Sequence, residues 1–362
     1  MNFRSNKNFC TLLGSLLLCF GLCFAPQSVL ASAGHGEEKV NVKNIVFEHI
    51  EDAYSWHITS WGGNHISIPL PIIVRSTQSG EWDIFSSSKL EHTVSYKGFY
   101  ISKEEGINKG KLVEKNPQTG EEVRPLDLSL TKTAAGILIG SVLLSCIILL
   151  CSRWARRNPN KAPGGFIGMM EMFIMDIHDN VIKACIGPKY KKFAPYLLTA
   201  FFFIFFNNLL GLIPIFPGGA NVTGNITITL VLACFTFLFT NLFGTKEYYK
   251  DVIWPHVPLA LKPIMIPIEV IGLFTKPFAL MIRLFANIMA GHSVILCLIS
   301  IIFVTATMGA VLNTSMTVVS VLFSIFMNML ELLVAYIQAY VFTMLSAVFI
   351  GLAVAEPAHV QK

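Results

Sequence analysis

The sequence predicts an all-α polytopic membrane protein preceded by a small α+β extramembrane module. Three observations carry that prediction. Hydrophobic residues make up 53% of the 362 residues and charged ones only 14%, where a soluble protein carries about 25% charged residues. The mean hydropathy is +0.60. The apolar residues are also unevenly placed. Long apolar runs, each enough for a membrane helix, recur after Lys132, whereas residues 34–132 are polar and rich in Gly, Ser and Lys. The net charge of +5 is too modest to point to nucleic acid. The positions of Lys and Arg are more informative, because they set orientation across a bilayer.

The elements follow in chain order. Residues 1–33 have the anatomy of a secretory signal peptide: Arg4 and Lys7, a short apolar core, then small residues at Ala31 and Ala33. Residues 34–132 are then exported. Within them 41–58 reads as an amphipathic helix, "HISIPLPIIV" and "KGFYIS" as short strands, and "KNPQTGEE" as a turn. Neither disulfide nor metal spacing appears there.

Five spans are expected, at about 133–151, 196–216, 226–243, 267–303 and 316–355. Arg153, Arg156, Arg157 and Lys161 flank the first span and Lys189–Lys192 precede the second, which places both flanks in the cytoplasm. The uncharged connections near 217–225 and 305–315 fit the outside. The N-terminus is therefore outside and the C-terminus inside. Residues 165–186 carry Glu171, Asp176, His178 and Asp179, too many charges for a span, and read as a helix lying at the interface. The last two apolar segments exceed the ~20 residues of a perpendicular crossing, so strong tilt or kinking is expected.

Ionisable groups inside spans are costly and mark function by default. The segment at 267–303 carries Glu269, Lys276, Arg283 and His292, with Asn287 between the last two. Glu269, Lys276, Arg283 and Asn287 recur at seven, seven and four residues and share one face. His292, nine beyond Arg283, projects toward the other side. A second polar stripe, Asn328, Glu331 and Gln338 around Ala335, is on the last span. Interhelical glue explains a lone Asn, and Lys276 has the reach to snorkel. An arginine near mid-membrane costs ~2.5 kcal/mol or more, which packing alone seldom demands.

"KPFALMIRLFANIMAGH" followed about forty-five residues later by "LELLVAYIQAYVFTML" closely resembles subunit a of F-type ATP synthases, the ATPase subunit 6 family, in a bacterial form with an extended exported region. The resemblance covers about 165–355 and includes "NNLLGLIP" and Glu269. It implies a proton-conducting stator subunit, not itself catalytic and without cofactor or metal, in the cell inner membrane. The implied partners are a c-ring and the b subunits of a peripheral stalk. The translocated ion is H⁺, or Na⁺ where the ring carboxylate selects it. By the resemblance, Arg283 matches the essential arginine and Asn287 and Gln338 its polar neighbours. His292 and Glu331 match the outer half-channel pair, in the exchanged order resembling mitochondrial members. Glu269 matches an inner carboxylate, and Gly211 stands where some members carry Asp.

The chemistry suits that implication. Arg283 does not release its proton, so it separates two offset half-channels while drawing in a ring carboxylate. Gln338 is placed to orient it by hydrogen bonding. Ala286, Ala290 and Gly291 keep the helix surface low beside a moving ring. His292 and Glu331 suit a relay near neutral pH. The competing readings are weaker. A transporter binding an anion at Arg283 lacks the internal repeat such proteins often show, and an intramembrane enzyme lacks HExxH or GxSxG. A ligand-binding receptor rests on residues 34–132 alone.

Overall fold

The computed structural model describes residues 52–355 apart from 62–63, 92–94, 103–105, 107, 117–119, 214–217, 255–257, 259–260 and 307–308, with no side chains described at 57–61, 64–66, 91, 251 and 310. The expected signal peptide and residues 34–51 lie outside the described residues.

The N-terminal module is built from short strands. Strands β1 (Ser55–Trp61) and β2 (Asn64–Pro69) form an antiparallel hairpin with a bulge between His57 and Thr59. Residues 55–58 are thus extended, where the sequence suggested the end of a helix. The β-branched and aromatic residues of "SWHITSW" favour a pleated, half-buried surface, and pairing with β2 satisfies their backbone. A three-stranded sheet has order β4-β3-β8, from β3 (Pro71–Arg75), β4 (Trp82–Ser86) and β8 (Leu126–Asp127). A one-turn helix α1 (Ser88–Glu91) follows β4. Strands β5 (Phe99–Ile101), β6 (Leu112–Lys115) and β7 (Glu122–Val123) make another sheet. The period of two in β3 sends Ile72 and Val74 inward, onto Phe85, Phe99 and Leu112. Buried Glu114 is satisfied by Ser76 Oγ at 2.8 Å and the Thr77 N–H at 2.7 Å, as a buried carboxylate requires.

The expected strands at 65–74 and 97–102 are present. The expected turn closes with bonds from the Asn116 N–H to Glu121 O and from the Gly120 N–H to Asn116 O.

Helix α2 (Lys132–Arg157) starts at Thr131, whose hydroxyl accepts from the Ala134 N–H, and ends with Arg156 and Arg157 against its negative pole. Helix α3 (Gly165–Asp176) runs through a π-helical stretch, Ile177–Lys183, into α4 (Ala184–Ile186). Gly187, at φ 73°, then breaks the direction. This 165–186 helix is separate from α5 (Tyr190–Leu212). Helix α6 is Ile226–Leu242, α7 is Lys246–Ile253, α8 is Lys262–Thr305 and α9 is Ala310–Val354. Helices α2, α8 and α9 and the 165–212 stretch are long and apolar enough to cross a membrane, and α6 is a shorter apolar helix.

Helix α5 lies in the core, with Phe193, Leu197, Phe201, Phe202 and Ile204 buried against α9 and the 165–186 helix. Helices α8 and α9 are different. At 44 residues, α8 is about 66 Å long, twice a hydrocarbon layer of ~30 Å. Only 17% of the apolar window of α8 and 22% of that of α9 is buried within the chain. The remainder demands lipid or another protein.

Candidate functional site

The contact between α8 and α9 holds the polar residues together. Along α8, Leu280, Leu284 and Ile288 form a buried row at four-residue spacing. His292 is the next member of that row, so it too faces inward. Arg283 and Asn287 belong to the adjacent row, at the exposed edge of the contact. On α9, Glu331, Ala335, Gln338 and Ala339 are buried, Gln338 at 2% and Glu331 at 5% exposure.

Two polar couples join the helices. The Asn287 side-chain amide donates to Gln338 Oε1 at 3.0 Å. His292 Nδ1 lies 3.1 Å from Glu331 Oε1. That second couple is an ion-pair contact without hydrogen-bond alignment, and neither Glu331 oxygen has a donor among the described residues. A buried carboxylate in that state costs free energy unless it is proton-bound or visited by water. Asn287 and His292, placed on opposite sides by the sequence expectation, therefore both reach α9. The reason is that the contact passes from one edge of the α8 row to its centre.

Arg283 is exposed on the open side of α8. Among the described residues no hydrogen bond or ion pair involves it. The expected bond between its guanidinium and Gln338 is not formed among the described residues; the Gln338 carbonyl oxygen accepts from the Asn287 amide. Ala286 and Ala290 are exposed beside Arg283 as expected. Gly291 is not on that surface: a Cβ there would meet Glu331 Oε1 at 3.0 Å. The missing side chain makes room for the carboxylate instead.

Glu269 is half-buried and stands apart from the other five residues, near the start of α8. It acts electrostatically on Tyr248 of α7, whose phenol is pushed up first by burial and then by Tyr249 and Glu269. Tyr248 also lines a cavity, together with Thr236, Thr240, Lys276 and Pro277. Lys276 Nζ lies 5.8 Å from the Phe349 ring centroid.

The neighbours of the two couples include a glycine named in the sequence and several polar residues that were not. Gly211 of α5 is the neighbour of His292: a Cβ there would lie 3.7 Å from Nε2 and 3.6 Å from Ala220 O. Asn207 and Asn208 are buried, and Thr223 Oγ1 donates to Asn208 Oδ1. Tyr196 OH, Thr236 Oγ1 and Ser346 Oγ form a chain of 3.0 and 3.1 Å across α5, α6 and α9. Single Asn, Ser and Thr residues in apolar runs carry a weak signal, and Asn207 and Asn208 entered only within "NNLLGLIP".

Comparison with known proteins identifies the family. The family described as ATP synthase A chain matches residues 138–351. A second family, described only as a domain of unknown function (DUF8433), matches 45–128. ATP synthase subunit a of Chlorobium phaeobacteroides is 46% identical over 238 residues, covering 64% of this chain and 67% of its own. ATP synthase subunit a 2 of Prosthecochloris aestuarii is 47% identical over 238 residues, with 64% and 71% covered. ATP synthase subunit a of an Anaeromyxobacter species is 34% identical over 337 residues, with 91% and 74% covered. With matched residues that take in the whole α8–α9 contact and its five polar side chains, the chain belongs to the ATP synthase A chain family.

Proposed function

We propose that the chain is the proton-conducting stator subunit of a rotary ATP synthase. It presents two offset half-channels to a c-ring, with Arg283 between them, and is anchored by the b subunits of a peripheral stalk. The observation that carries this reading is the pairing of α8 with α9. Two polar couples bridge the helices, while Arg283 stays on the open face beside Ala286 and Ala290.

A ring carboxylate crossing lipid must be neutral, since a bare charge there is costly. Close to Arg283 the carboxylate is favoured in its ionised form, so it releases its proton there. The guanidinium itself does not titrate, and its fixed charge repels a proton moving directly between half-channels. With Gln338 held by Asn287, the guanidinium is free to meet the ring carboxylate. His292 and Glu331 hand protons between the outer water and the ring, and the donor-less Glu331 oxygens are ready acceptors. Glu269, with Tyr248 and the cavity next to Lys276, lies on the inner route. The reading places the N-terminal module outside, the C-terminus inside, and the chain in the cell inner membrane with H⁺ as the ion.

The test is Arg283→Ala in the complete enzyme in vesicles. ATP-driven pumping is expected to cease while passive proton flux under an imposed potential persists or rises. Pumping at near wild-type rates would show that Arg283 is not the separator.

A further inference from the structure

The N-terminal module shares a core with the membrane helices. Trp56 and Leu70 of the module bury against Ala135 of α2 and against Ala220 and Val222, with Ile68, Ile137, Ile139 and Ile228 packed around them. The seam is also tied by backbone: the Lys132 N–H donates to Ala53 O at 2.8 Å and the Thr133 N–H to Asp52 Oδ1 at 3.0 Å. Residues 126–130 lie along β3, with Leu128 and Leu130 donating to Ile73 O and Pro71 O, and lead straight into α2. The module is therefore seated on the helix rather than hung from it.

Ala220 connects that seat to the candidate site. Its side chain lies in the shared core, close enough to α2 that a Cβ on Gly136 would come within 2.7 Å of it. Its carbonyl faces Gly211, on whose open Cβ position His292 Nε2 also converges. The same segment is held below by Asn221, whose amide lies 4.0 Å from Met289 Sδ, and by the Thr223–Asn208 bond.

We propose that the N-terminal module is the lid of the outer half-channel, clamping residues 219–225 over His292 so that only water-sized species reach the His292–Glu331 couple from outside. This rests on the outer-channel reading above. The module then sieves the access route while it keeps the channel wall rigid against α5 and α8.

The test uses the complete enzyme in membranes, in a background free of other reactive cysteines, with Gly211→Cys as reporter beside His292. Ag⁺ serves as the small probe and a bulky cationic methanethiosulfonate as the large one. In the parent, Ag⁺ is expected to react from outside and the bulky reagent hardly at all. Leu70→Asp, which loosens the seat, is expected to speed the bulky reagent by about tenfold, the change that ~1.4 kcal/mol of lost seating produces. Gly136→Val pushes on Ala220 from α2 without altering the module, and the same gain is expected. Ile84→Asp, on an exposed strand position, is expected to change nothing. Equal bulky-reagent rates in the parent and both seam variants would overturn the lid. Failure of Ag⁺ to react with the Gly211→Cys reporter in every variant would overturn the outer-channel reading, and the lid with it.

Discussion

At the scale of single residues, position decides chemistry. Arg283 keeps its guanidinium on an open face where a partner's carboxylate has access, and Arg283→Lys is expected to fail alongside Arg283→Ala. A lysine in this setting deprotonates and offers no planar fork. ATP-driven pumping in vesicles measures both. His292 and Glu331 touch across two helices at 3.1 Å, so they should behave as one unit. Either substitution is expected to slow proton flux about 10²-fold or more, as for other positioned acid–base groups, and the exchange His292→Glu with Glu331→His to recover part of it. Losses that simply add in the double variant would argue against a shared relay. In the module, Tyr54 OH donates to Asp127 Oδ2 at 2.5 Å, and burial first, then this bond, raise its pKa from 10.0. A raised folded-state value means that Tyr54 contributes its stability below about pH 10 and loses it as pH rises further. Hydrogen exchange is expected to show the module loosening above that pH, and Tyr54→Phe to remove the dependence.

At the scale of elements, α9 is held by close backbone approach. A Cβ on Gly351 would lie 2.2 Å from the carbonyl oxygen of Cys185 in α4 and 3.1 Å from its carbon. Backbone on both sides leaves nothing to yield, so Gly351→Ala forces the helices apart at a cost of about 1–3 kcal/mol. A lower unfolding temperature of the purified subunit and reduced assembly into the enzyme are expected. Unchanged thermal stability would mean that α9 does not rely on this contact. Helix α8 needs no such seat along its outer side. Its interior prolines, Pro267 and Pro277, each remove a backbone bond, yet the helix continues because its apolar neighbours on α6 and α9 hold it, including Phe237 stacked on Phe274.

At the scale of the whole molecule, the orientation makes a further prediction. A reporter fused after Lys362 is expected to act as a cytoplasmic protein and one inserted in the exposed turn near Gly80 as an external one. The reverse pattern would overturn the topology. The open apolar faces of α2, α8 and α9 belong to a subunit that is finished only inside its complex and its bilayer.

The residue pattern alone determined the membrane class, the polar N-terminal module, the order of the apolar helices and the polar positions on the last two of them, from which the family resemblance singled out six as candidates. These features depend on composition and local periodicity, which the chain carries in itself. The tertiary structure decided the partnerships. Which edge of α8 meets α9 depends on how two long helices cross, so only the folded chain shows that His292 and Asn287 both reach across and that Gln338 serves Asn287 instead of Arg283. The extended conformation of 55–58 was hidden for a related reason: an amphipathic run suits either period until a hairpin partner such as β2 supplies its hydrogen bonds. The contacts of Gly211, Gly291 and Ala220 were hidden in the same way, because the meaning of a small residue lies in the atoms that occupy the space it leaves.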